Sequence, residues 1–178
     1  MENNTLNTIR EHIIGNERRR EWAYLDPKGN VTIGIGFKID SENDFAALPL
    51  VNKNTGKTGT DTEKRQAWDI MQQEKARSVK SGDLNRKADT FEKLTNVHMP
   101  EAEQDKRLDR EIATRAAGIK NDKDVGEEAW NRLTPGQKAV AVDLHYATGS
   151  LDGFPEFKKA LKRGDAEAMA KESLVLHG

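Results

Sequence analysis

The stretch 16–36, NERRREWAYLDPKGNVTIGIG, decides how the chain is read. Residues 22–25 form a short aromatic and aliphatic run, and residues 31–37 a second run rich in β-branched side chains, so both read as strands. Between them lies Asp26-Pro27-Lys28-Gly29. Aspartate at the first turn position, proline with its fixed φ at the second and glycine at the fourth are the chemistry of a type I turn closed by a left-handed glycine. An antiparallel hairpin is predicted.

Along the second strand, alternation puts Val31, Ile33, Ile35 and Phe37 on one face and Thr32, Gly34 and Gly36 on the other. Two glycines inside a strand give up packing, and such glycines mark places where another backbone or a ligand comes close. Thr32 is then expected to stand alone on a bare face. Upstream, Leu6, Ile9 and Ile13 recur at helical spacing and Gly15 is a stop signal, which places Glu17 just beyond a short N-terminal helix. The negative end of that helix and partial burial both disfavour a charged carboxylate, so the Glu17 pKa is expected to rise, as suits a general acid. Asp26, on a solvated turn, is expected to stay ionised and to orient a water, with the Thr32 hydroxyl as second anchor. Two carboxyl groups in unlike environments beside an open face are what glycoside hydrolysis needs. Spacing alone is weak support, because an ordinary surface hairpin also explains an Asp-Pro-Lys-Gly turn.

The combination is sharper. A glutamate at a helix end is followed by Tyr-x-Asp-x-x-Gly-x-x-Thr-Ile-Gly-Ile-Gly from residue 24 to residue 36, and every spacing is consistent. This resembles the phage-type lysozymes, a glycoside hydrolase family. A second region, LTPGQKAVAVDLHYATGSLDGF at 133–154 followed by KRGDAEAMA at 162–170, resembles the same family. The resemblance implies Glu17 as general acid, Asp26 as the residue that activates or positions water, and Thr32 as a water-holding partner. It further implies substrate contacts from Tyr24, Gly34 and Gly36, and from His145 and Tyr146, although a satisfied helix-end pair explains the last two slightly better. The implied fold is α+β and lysozyme-like: mostly helical, with a small β-hairpin lobe and a larger helical lobe around a cleft.

At 178 residues the chain suits one catalytic domain, with a hairpin lobe at about 16–60, an inserted helical segment at about 61–97 and a helical lobe at about 98–178. A net charge of -1 decides little, but no long basic run points to a nucleic-acid partner, and the triplet Arg18, Arg19 and Arg20 reads as a solvated face or as an aid in approaching an acidic polymer. With no cysteine, disulfides and thiolate metal sites are excluded. No segment reads as a secretory signal or could span a membrane, so delivery by a holin or a secretion machine is expected.

Residues 38–60 read as a polar, mobile loop. Asn52, Asn54, Thr58, Thr60 and Glu63 have a loose calcium-loop spacing, but the turn glycine is displaced and carboxylates are few, so no metal or other cofactor is expected. Thr60 with Glu63 is a capping box opening a helix that ends near Gly82, and Leu84, Ala88, Phe91 and Leu94 read as a second short helix. Pro100 starts a helix with Leu108, Ile112, Ala116 and Ile119 on its apolar side, and His98 before it reads as a surface residue. Thr134-Pro135 starts the most apolar helix, closed by Gly149. Further helices start at Phe154-Pro155 and after Gly164-Asp165, the last expected to reach Leu176.

Three departures from the family pattern stand out. Arg18 follows Glu17 where glycine is usual, Phe37 stands where a histidine often follows the last glycine, and the sequence stops at Gly178 where the family continues with helices that bring an arginine to the acid. The expected function is hydrolysis of the β-1,4 bond between N-acetylmuramic acid and N-acetylglucosamine in peptidoglycan, with inversion, by a monomer without cofactor. Endolysin and interbacterial toxin domain are both open, the latter with an immunity protein as partner. The alternative is a catalytically silent wall-binding or structural module.

Overall fold

A computed structural model describes residues 1–174; Leu176, where the last helix was expected to end, lies outside the described residues. The fold is α+β, mostly helical with a small antiparallel sheet, and it divides into two compact units. The first joins Met1–Glu17 to the chain from Lys106 onward, and the second is Arg18–Asp105.

In the second unit, β1 (Arg20–Leu25), β2 (Val31–Gly34) and β3 (Phe37–Lys38) form a three-stranded sheet in the order β1-β2-β3. The predicted turn forms: Gly29 takes φ 81° and its N–H donates to the Asp26 carbonyl at 2.9 Å. The register runs Arg20 against Gly34 but Tyr24 against Thr32, so β1 carries a bulge between Arg20 and Tyr24. The second run of the motif is not one strand. Gly34 and Gly36 take φ 68° and 67°, the chain reverses, and Ile33 faces Phe37 across a new hairpin. Alternation misleads here because a strand and a glycine-hinged turn place the same apolar residues in the core: Val31, Ile33, Ile35 and Phe37 are all buried. What comes close at Gly34 is the Phe37 ring, 2.6 Å from where a Cβ would stand.

The region expected as a loop holds α2 (Glu42–Ala46) and β4 (Val51–Asn52), which pairs with β5 (Val97–His98). Phe45, Leu48 and Leu50 anchor it in the core. Next, α3 (Asp61–Ser81) has the capping box at Thr60 and Glu63 and ends on left-handed Gly82. The segment expected as an insertion thus lies within the same unit as the hairpin, and α3 touches β1. The short helix expected from Leu84 to Leu94 shrinks to a 3₁₀ turn, Ala88–Phe91, with Phe91 buried beneath the Arg86 guanidinium at 4.3 Å from the ring centroid.

In the first unit, α1 (Asn3–Glu17) packs chiefly against α6 (Pro135–Thr148). Gly15 does not stop α1; it lies inside the last turn, and Glu17 is the final helical residue. Between α1 and α6 in sequence, α4 (Glu101–Lys120) starts in the second unit and continues into the first, and α5 (Glu127–Asn131) follows. Leu108, Ile112, Ala116 and Ile119 are buried as the periodicity requires. Thr134 and Gln137 cap α6, Gly149 closes it in the left-handed region, and α7 (Pro155–Arg163) and α8 (Ala166–Ser173) pack on each other. Among the described residues, no helix is long and apolar enough to cross a membrane.

Where the resembling family usually has glycine, Arg18 adopts φ 65°, the conformation glycine would supply, and it is the one non-glycine residue with positive φ among those described. An L-side chain in this region costs roughly 1–2 kcal/mol. Because glycine also loses more entropy on folding, Arg18→Gly is expected to stabilise the fold by roughly 0.5–1 kcal/mol in a denaturant melt. Gly34→Ala is expected to destabilise it by more than about 1 kcal/mol, since the methyl meets the Phe37 ring. The opposite order of midpoints would contradict the two backbone assignments.

Candidate active site

The residues singled out from sequence divide between the two units. Glu17, His145 and Tyr146 belong to the first; Tyr24, Asp26, Thr32, Gly34 and Gly36 belong to the second.

In the second unit, Asp26 follows β1 and its carboxylate folds back on its own turn. Oδ1 accepts from the Lys28 N–H at 2.9 Å and the Asn30 N–H at 2.8 Å, and Oδ2 accepts from Asn30 Nδ2 at 2.9 Å. Lys38 Nζ stands 3.9 Å from Oδ2, and the Asp26 side chain is only 14% exposed, so the solvated turn expected from sequence is a half-buried one. A carboxylate has about four acceptor positions, and these three bonds leave room for one more donor. Thr32 is likewise not on a bare face: it is 2% exposed, and its hydroxyl donates to the Asn30 carbonyl at 3.0 Å. With its proton committed there, the oxygen keeps lone pairs that can only accept. Tyr24 faces Thr32 across the β1–β2 ladder, half-buried. Asn30 is the residue that sequence reasoning missed. It holds Asp26 through two donors and Thr32 through its carbonyl, and an asparagine four residues after a turn aspartate is the signal that points to it.

In the first unit, Glu17 ends α1, half-buried. Tyr146 on α6 shares its surroundings: burial pushes the phenol well above its ordinary pKa, the Glu17 and Glu111 carboxylates push the same way, and Arg107 and Arg115 oppose them. Arg107, Glu111 and Arg115 are a charged stripe at four-residue spacing on α4, with Arg115 Nη2 3.3 Å from Glu111 Oε2. The stripe was legible as alternating charge beside the apolar series of α4, but it reads from sequence as an ordinary solvated face. His145 lies toward Gly118, where a Cβ would stand 3.1 Å from Nε2.

Other polar residues of the second unit have structural occupations. The arginine triplet is not a uniform solvated face, since Arg19 is bonded to Asp105, and Arg20 pairs with Asp89 at 3.0 Å while its guanidinium sits 6.0 Å from the Trp22 ring centroid. His98 Nδ1 lies 3.6 Å from Glu21 Oε2. In the 52–63 region, Asn52 Oδ1 accepts from the Asn54 and Thr55 N–H groups, its Nδ2 donates to Glu63, and Glu63 also caps α3. Among the described residues, no group of three or more His, Cys, Asp or Glu side chains is placed to hold a metal ion. No protein-family model and no curated protein matches the sequence.

Burial, reinforced by Arg115, lowers the His145 pKa, while Asp122 and Asp152 pull weakly the other way. A histidine whose folded-state pKa is depressed contributes stability that is fully present above the unfolded value of about 6.5 and is lost as pH falls through the folded one. The melting temperature is therefore expected to fall between about pH 7 and pH 5, and less steeply in His145→Gln. Equal slopes in the two proteins would contradict the assignment.

Proposed function

We propose that the chain hydrolyses the β-1,4 bond between N-acetylmuramic acid and N-acetylglucosamine in peptidoglycan, as a lysozyme-like muramidase. The observation that carries this reading is the pair of acceptors gathered on Asn30: the Asp26 carboxylate with one acceptor position left, and the Thr32 oxygen with its own proton committed. A water that gives its two protons to two such acceptors turns a lone pair outward, which is how a nucleophilic water is oriented. Glu17 is the acid of this reading. The reaction this reading implies delivers an acid's proton to the glycosidic oxygen as the bond to the anomeric carbon breaks, while the water oxygen bonds that carbon and its proton passes to a carboxylate, the role Asp26 takes. The product has the inverted configuration. The substrate of this reading is a wall polymer, and a toxin-producing cell would need an immunity protein to guard its own.

One observation favours a second reading, a silent wall-binding or structural module of the same fold. The Asp26 carboxylate is engaged by its own turn, which accounts for an aspartate there without chemistry.

Soluble products released from purified peptidoglycan by the wild-type chain, Glu17→Gln and Asp26→Asn, identified by mass spectrometry, separate the two readings. Hydrated reducing-end muropeptides from the wild type, reduced on the order of a hundredfold or more in each variant, are expected. Anhydro products would mean a lytic transglycosylase. Wild-type rates in Glu17→Gln would remove it as the acid, and sugar binding without any product would favour the silent module.

A further inference from the structure

Asp143 is an ionisable residue on the most apolar helix of the chain, and it is 3% exposed. Such a group is costly to bury unless partners compensate it. Two of its partners come from α1. Asn16 Nδ2 donates to Asp143 Oδ2 at 3.0 Å, and His12 Nε2 lies 3.4 Å from the same oxygen. His12 and Asn16 are one helical turn apart, so they meet α6 as one face. That face lies next to the buried stripe of Thr5, Ile9 and Ile13, and Asn16 immediately precedes Glu17.

The last turn of α1 needs such an anchor. It contains Gly15, holds no basic residue of its own, and is followed by the left-handed Arg18. Glycine weakens a helix, and terminal turns fray first. Ile13 is the last residue of α1 in the core, and beyond it the Asn16–Asp143 bond ties the turn down.

We infer that Asp143 is a positioning residue: through Asn16 it fixes the last turn of α1 and hence the place of the Glu17 carboxyl. The inference rests on the reading of Glu17 as the acid, but its main test does not need activity. Amide hydrogen exchange is measured on the full chain for wild type, Asp143→Leu and Asn16→Ala. Leucine puts an apolar side chain of similar size in place of the carboxylate, and Asn16 is exposed, so its replacement leaves the core intact even where Asp143→Leu fails to fold. Protection at residues 14–17 is expected to fall about tenfold, with amides 6–10 and 139–142 changed by less than about twofold. Gly15→Ala added to Asn16→Ala is expected to restore most of the protection, because a Cβ at Gly15 meets nothing within 4 Å. Unchanged protection at 14–17, or an equal fall throughout α1, would overturn the inference. On peptidoglycan, Asn16→Ala is expected to lower kcat with little change in KM. Hydrolysis that persists in Glu17→Gln would instead refute the acid assignment, while the exchange pattern still decides whether Asp143 holds the turn.

Discussion

The second unit depends on the closure of one turn by one carboxylate. Asp26 gathers the N–H groups of Lys28 and Asn30 and the Asn30 side-chain amide, so the chain leaves β1 and enters β2 at a fixed angle. The Asn30 carbonyl then accepts from the Thr32 hydroxyl, and Thr32, the second residue of β2, is buried. Every later feature of the sheet inherits this register: Tyr24 opposite Thr32, Ile33 opposite Phe37, and the Phe37 ring over Gly34. The same aspartate is thus asked to build the turn and, in the proposed chemistry, to hold a water. These demands are compatible because a carboxylate has more acceptor positions than the turn consumes.

How far the fold was legible follows from where the determining interactions lie along the chain. Capping is local, so Thr60 with Glu63, the Thr134-Pro135 start, and the closing glycines Gly82, Gly149 and Gly164 could be read directly. The Asp26 turn was legible for the same reason. Gly34 and Gly36 were misread because the period of two survives a reversal of the chain: each apolar residue stays in the core whether the segment runs on or turns back. Gly15 was misread as a stop because its neighbours, not its own preference, decide that α1 continues to Glu17. The two-residue strands β4 and β5 left no periodic trace, since their pairing joins positions far apart in sequence.

The candidate site was legible in kind and less so in environment. Its residue types were given by the motif, but the half-burial of Asp26, the sealing of Thr32 and the gathering role of Asn30 depend on side-chain hydrogen bonds that no pattern of residue types encodes. The charged stripe on α4 shows the converse. Arg107, Glu111 and Arg115 have the spacing of a solvent-facing salt-bridge ladder, and only tertiary packing brings that ladder to the largely buried Tyr146 beside Glu17. Sequence periodicity identifies which face is apolar; it does not say what a charged face next to it will meet.

A left-handed conformation is needed immediately after Glu17, and the chain meets that need with an arginine that pays a steric penalty glycine would avoid. Strain of this kind persists only when the structure on both sides over-determines it. On the helix side, the determinants are Ile13 in the core and the Asn16–Asp143 bond; on the strand side, they are the pairing of Arg19 with Asp105 and of Arg20 with Asp89. The strain persists because the partners on each flank leave the residue little freedom to relax.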